Sequence, residues 1–120
     1  MNKIYVGDIR QDSKDTRGWI FGHFMPEGSP GHSTDVEIKW GEHKKGEKRD
    51  TWSLNGKAAM ASIVVKGKMR VIFEDKDVVV KEGQYLVAPP NIPHKWIVEE
   101  DCLVLTVRWP SLPADHQDVS

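Results

Sequence analysis

Hydrophobic positions in this chain come in runs only a few residues long. Ten Gly and seven Pro separate these stretches of Val, Ile, Leu, Trp, Phe and Tyr. That punctuation is the rhythm of an all-β domain. The clearest unit is KMRVIF at 68–73, the charged turn EDKD, and the valines 78–80 that run to Gly83. Alternating side chains around a polar turn predict a β-hairpin there. HKWIV at 94–98, the acidic EED and CLVLTVRW to Trp109 read as a second hairpin, in whose second arm Leu103, Leu105, Val107 and Trp109 share one parity. Further strands are expected near residues 18–24, 36–40 and 62–65, for a total of seven or eight. KAAMASIVV opens with helix formers, but its β-branched end and the following Gly67 favour strand. Residues 25–35 read as a loop. Residues 1–109 are expected to form one domain, and 110–120, poor in apolar side chains, a flexible tail.

Strand VEIKW raises a question of orientation. Val36, Ile38 and Trp40 lie on one face, and Glu37 and Lys39 on the other. Burying an unpaired charge costs several kcal/mol, so the apolar face is expected inward and Glu37 and Lys39 in water. The same count turns His43 outward, unless a bulge at Gly41 shifts the parity. The alternative places Glu37, Lys39 and His43 together in a polar cavity.

Composition narrows the partners. A chain of 120 residues is long enough for one core and not for two. Its 17 basic and 18 acidic residues nearly cancel, so no single-sign field points to nucleic acid or to a membrane surface. A small molecule or a second copy is the expected partner. No apolar stretch approaches the ~20 residues of a membrane helix. The one cysteine, Cys102, has no intramolecular disulfide partner, and MNKIYVGDIRQD lacks the apolar run of a signal peptide, so the cytoplasm is the expected compartment. Cys102 follows EED, whose carboxylates raise a thiol's pKa, which argues against a nucleophilic role. There is no Gly-x-Ser-x-Gly elbow and no phosphate-binding glycine loop.

The segment GQYLVAPPNIPHKW, from Gly83 to Trp96, carries the most specific signal. Prolines at 89, 90 and 93 restrict the loop and so fix where His94 points. Gly83, Pro89 and His94 fall at the spacing of the second motif of the cupin superfamily, which the segment resembles. Asn91 replaces an internal glycine, a mild departure because Asn tolerates positive φ, and Val98 replaces a final Asn. The resemblance implies a double-stranded antiparallel β-helix, the jelly-roll barrel or β-sandwich of the cupins, with a ligand pocket in its open end. It also implies a homodimer. The family's first motif, with two histidines and a glutamate, is degenerate here. If Gly67 ends it, its ligand positions fall near Ser53, Asn55 and Met60. If GEHKKGE starts it, His43 stands for one histidine and Lys45 for the other.

A metal site would rest on His43 and His94, completed by Glu37, Glu42 or Glu47. Two histidines are rarely enough to hold zinc, iron or nickel, so no divalent cofactor is the favoured expectation. The candidate ligand-binding residues are His94, Trp96, His43, Arg49, Arg70 and Arg108, the guanidinium groups suiting a carboxylate or phosphate. Trp19, Trp40, Trp52 and Trp109 read as core or dimer contacts. Three functions compete. One is a module that binds a small, acidic or sugar-like molecule. Another is a cupin-type enzyme, either a metal-dependent oxygenase or isomerase or a metal-free sugar-nucleotide epimerase with His94 or His43 as general base. The last is a structural or regulatory dimer with a vestigial pocket.

Overall fold

The computed structural model describes residues 3–119. Its elements in chain order are a one-turn helix α1 (Ile9–Asp12), β1 (Trp19–Phe21), β2 (Glu37–His43), β3 (Lys48–Asn55), β4 (Ala59–Phe73), β5 (Asp77–Lys81), β6 (Tyr85–Ala88), β7 (His94–Trp109) and β8 (His116–Asp118). All strand pairings are antiparallel. The predicted all-β architecture, a double-stranded β-helix, is what the chain adopts.

Two long strands organise everything else. β4 and β7 pair along nearly their whole lengths, from Ala59↔Trp109 to Phe73↔His94. Near the middle, around Lys66 to Met69, the register slips. Gly67 sits there at φ +88°, and a Cβ on it would lie 2.1 Å from the Asp101 carbonyl oxygen. Only glycine meets both demands. The slip divides the ribbon into two four-stranded halves. One half runs β2–β7–β4–β6, with β1 added beside β2; the other runs β3–β7–β4–β5, with β8 added beside β3.

The predicted hairpin over 68–83 is present, pairing Ile72 with Asp77 through Lys68 with Lys81. The second predicted hairpin is corrected: residues 94–109 are one continuous strand. EED resembles a turn, but its charges are answered across the sheet. Glu99 meets Arg70 at 2.6 Å and Lys68 at 3.8 Å, and Asp101 accepts the Lys45 backbone N–H at 2.7 Å. The charged run 42–50 ends β2 at His43 and starts β3 at Lys48. Asn91 does take positive φ, 67°, and its N–H bonds the Asn55 carbonyl at 2.8 Å.

The orientation of β2 is also corrected. Its pairing with β7 runs unbroken from Glu37↔Arg108 to His43↔Cys102, so there is no bulge at Gly41. Glu37, Lys39, Gly41 and His43 nevertheless face the interior. Glu37 is only 5% exposed, and the other three line a cavity between the halves. The expectation that Glu37 and Lys39 face water fails because Glu37 has partners that a parity count cannot see. Val64, Met69, Val71, Val80, Val98, Cys102 and Val104 form the apolar core, with Trp96, Phe73, Val78 and Leu86 packed against it.

Candidate functional site

A cavity of about 120 Å³ lies between the two halves. Its walls come from β2 (Lys39, Gly41, His43), β3 (Arg49, Ser53), β4 (Met60, Ser62, Met69, Val71), β7 (His94, Trp96, Val104, Thr106, Arg108) and β8 (His116). The proline-rich loop before β7 delivers His94 as the sequence implies. The His94 ring bonds the Ile92 carbonyl through Nδ1 at 3.0 Å. A carbonyl only accepts, so Nδ1 holds the proton in the neutral ring and Nε2 keeps its lone pair. Burial pushes the His94 pKa below the usual histidine value, and the positive charges of Arg108 and Arg49 push it the same way.

His43 lies over Gly41, where a Cβ would sit 2.8 Å from its Nε2. Its Nδ1 meets Glu47 at 2.8 Å, and its ring packs on Trp96 with centroids 5.1 Å apart. Trp96 thus walls the cavity and also packs on the core.

Arg49 and Arg108 converge on this cavity; Arg70 does not. Arg70 lies between the inward Met69 and Val71, so strand alternation turns it out to Glu99 and to Asp77, 3.6 Å away. Its expected place among the ligand-binding arginines is withdrawn. Arg49 bonds Asp118 of β8 through Nη2. Arg108 donates through Nη1 to Glu37 at 3.1 Å and stacks 5.0 Å from the centre of the Trp19 ring. The Nε atoms of both arginines are buried without a hydrogen-bond partner among the described residues. Burial, with Arg108 and Arg49 next in importance, holds the Lys39 ammonium below its ordinary pKa.

Sequence reasoning missed three members of this site. His116 sits in the segment expected to be a loose tail. β8 instead pairs with β3 from Ser53↔Asp118 to Asn55↔His116, and Asp115 caps the Lys57 and Ala58 N–H groups at 2.8 and 2.9 Å. Backbone pairing and polar caps dock the segment without apolar bulk. Burial, followed by the charges of Arg108, Arg49 and His94, lowers the His116 pKa to about 4. Ser111, 1% exposed, donates to Glu37 at 2.8 Å and accepts the His23 N–H at 2.9 Å, while His23 Nδ1 lies 2.8 Å from the same hydroxyl. His23 and Glu37 line a neighbouring hollow of about 200 Å³ that shares Arg108 and His116 with the cavity. The polar parity of β2 was their only trace in the sequence.

The donor set does not fit a divalent metal. Among the described residues no three His, Cys, Asp or Glu side chains come together as ligands. Ser53 and Met60, at positions where the resemblance would place metal ligands, do line the cavity beside His94. A hydroxyl, a thioether and three imidazoles, of His43, His94 and His116, that do not gather into one ligand group, ringed by Lys39, Arg49 and Arg108, do not suit zinc, iron or nickel. Glu47 is taken by His43, Glu42 pairs with Arg10, and Glu37 pairs with Arg108.

Comparison with known proteins agrees with this fold. The family model described as cupin domain matches residues 42–108. No curated protein matches the chain. Similar solved structures include Pac13 of Streptomyces, a nucleoside dehydratase, at 14% identity and TM-score 0.64 over 72% of this chain and 70% of that one. An uncharacterised conserved protein with a double-stranded β-helix domain from Klebsiella pneumoniae has 14% identity and TM-score 0.65, over 73% and 77%. A cupin-2 domain containing protein from Shewanella frigidimarina has 21% identity and TM-score 0.55, over 70% and 82%. At these identities the likeness is one of fold.

Proposed function

The chain belongs to the cupin domain family, and on that premise we propose that it binds a small anionic molecule in its barrel without a metal ion. The observation that carries this reading is the pair of buried guanidinium Nε–H groups, on Arg49 and Arg108, that line one cavity and have no partner among the described residues. A buried donor left unpaired costs about 1–3 kcal/mol, more when charged, and such groups call for an explanation. A carboxylate or phosphate oxygen supplies one. It also relieves the repulsion among Lys39, Arg49 and Arg108, which among the described residues form ion pairs with only Glu37 and Asp118. Size sets the ligand class. An apolar cavity of about 150 Å³ holds a benzene-sized molecule, so this one suits a phosphate, a small carboxylate or a single ring.

Titration calorimetry with inorganic phosphate and a panel of small carboxylates tests the proposal. Saturable binding is expected. In Arg49→Gln the affinity should fall about tenfold or more, the worth of one charged hydrogen bond. The reading fails if no anion binds, or if Arg49→Gln binds as tightly as the wild type.

An enzymatic reading is favoured by one observation, the neutral His94 ring, whose Nε2 lone pair suits a general base. Pac13 has been seen with uridine, which makes uridine a useful neutral probe. Anion recognition requires phosphate to bind more tightly than uridine. Catalysis through His94 requires His94→Asn to retain anion binding while losing turnover.

A further inference from the structure

The hollow beside the cavity is built mostly from chain that lies outside residues 42–108, the part matched by the family model. Trp19, His23 and Phe24 come from β1 and the loop after it, and Pro110, Leu112 and Asp115 from the segment between β7 and β8. Hydrogen bonds staple these two segments together. Ser111 accepts the His23 N–H at 2.9 Å, and its own N–H bonds the Thr34 carbonyl at 3.0 Å. Just past the end of β3, the Gly56 N–H ties the Asp115 carbonyl down at 2.9 Å. A hollow whose walls are pinned in this way is pre-formed, as small-molecule sites usually are.

The body of the hollow is aromatic. Trp19 and Phe24 meet edge to face at 5.3 Å, and Phe24 and His23 at 5.0 Å. Gly22 makes room for this cluster, because a Cβ there would lie 2.4 Å from the Phe24 ring. Phe24 is nevertheless 43% exposed, a large ring that the chain itself only partly covers. The acids at the hollow are already engaged, Glu37 by Arg108 and Ser111, and Asp115 by the Lys57 and Ala58 N–H groups. His116, with its pKa near 4, stands neutral at the boundary with the cationic cavity. Arg108 is the one cation that reaches both spaces.

We propose that cavity and hollow are two halves of one binding site, in which an anion on Arg49 and Arg108 carries a single planar ring that lies in the hollow against Trp19, Phe24 and Leu112. The proposal rests on the anion reading above and names its class of molecule, an aryl phosphate or aryl carboxylate. The hollow, at about 200 Å³, exceeds the roughly 150 Å³ that accepts a benzene ring. Phe24 and Trp19 favour an aromatic ring over an alkyl chain, since edge-to-face pairs gain beyond the area they bury.

Calorimetry at mildly alkaline pH compares phenyl phosphate with methyl phosphate, dianions that differ in the ring. Phenyl phosphate should bind about tenfold more tightly or better, from the apolar area its ring buries. Phe24→Ala should cost phenyl phosphate about threefold more affinity than it costs methyl phosphate. A second readout needs no variant: nuclear Overhauser contacts should join the phenyl protons to the Leu112 methyl groups of the wild type. Equal affinity for the two phosphates overturns the proposal and leaves the anion reading standing. Missing Leu112 contacts overturn it too, as does a folded Phe24→Ala variant that keeps the wild-type ratio of affinities. If neither phosphate binds, the anion reading fails and this inference falls with it.

Discussion

Glu37 is the residue on which the interior turns. It is the buried acid that answers Arg108, and it also accepts from Ser111. Removing one partner of such a pair leaves a buried charge alone, so Glu37→Ala should cost about 3–5 kcal/mol. Urea melts check this, and a cost under about 1 kcal/mol would return Glu37 to solvent, where strand parity alone puts it. The histidines add a pH dependence. His116 titrates at about 4 in the fold against 6.5 when free, and the His94 value is lowered too. Between those limits the unfolded chain binds the extra protons, so stability is full above about pH 6.5 and falls as the pH drops toward 4. Thermal melts across that window should show the melting temperature decreasing with acidity. His116→Gln should flatten the decrease.

At the level of elements, what could be read from sequence was local. The β4–β5 hairpin is announced by alternating residues around EDK, and the rigid approach to His94 by its prolines. β7 was illegible because Glu99 and Asp101 look like a turn until Arg70, Lys68 and Lys45 are seen opposite them. β8 was illegible because it docks through backbone pairing and the Asp115 caps. Arg70 was assigned to the pocket by its chemistry, though its place between Met69 and Val71 already turned it away. The slip that divides the long ribbon makes its own prediction. Gly67→Ala must adopt φ near +88° and move the Asp101 carbonyl, so it should destabilise the fold by at least about 2 kcal/mol, read from denaturant melts.

For the whole molecule, the misjudged orientation of β2 is the most instructive difference between sequence and structure. Parity shows which residues share a face and is silent on which face lies inside. That depends on what covers the other side. Here a cationic cavity claims the inner face, and the apolar grid of Trp40, Leu105, Ile63 and Tyr85 is left outside. The family fold is kept while its first motif is replaced. Ser53 and Met60 stand where the cupin pattern would put metal ligands, and Arg49 and Arg108 supply positive charge that belongs to the protein itself.

The most direct test of that cationic cavity is the His116 imidazole titration followed by NMR, without and with saturating inorganic phosphate. Arg108 and Arg49 help hold the free-protein value at about 4, so an anion between them should raise it by about one unit or more. Phosphate should in turn bind more tightly as the pH falls. A His116 that titrates near 6.5 in the free protein and ignores phosphate would contradict the account.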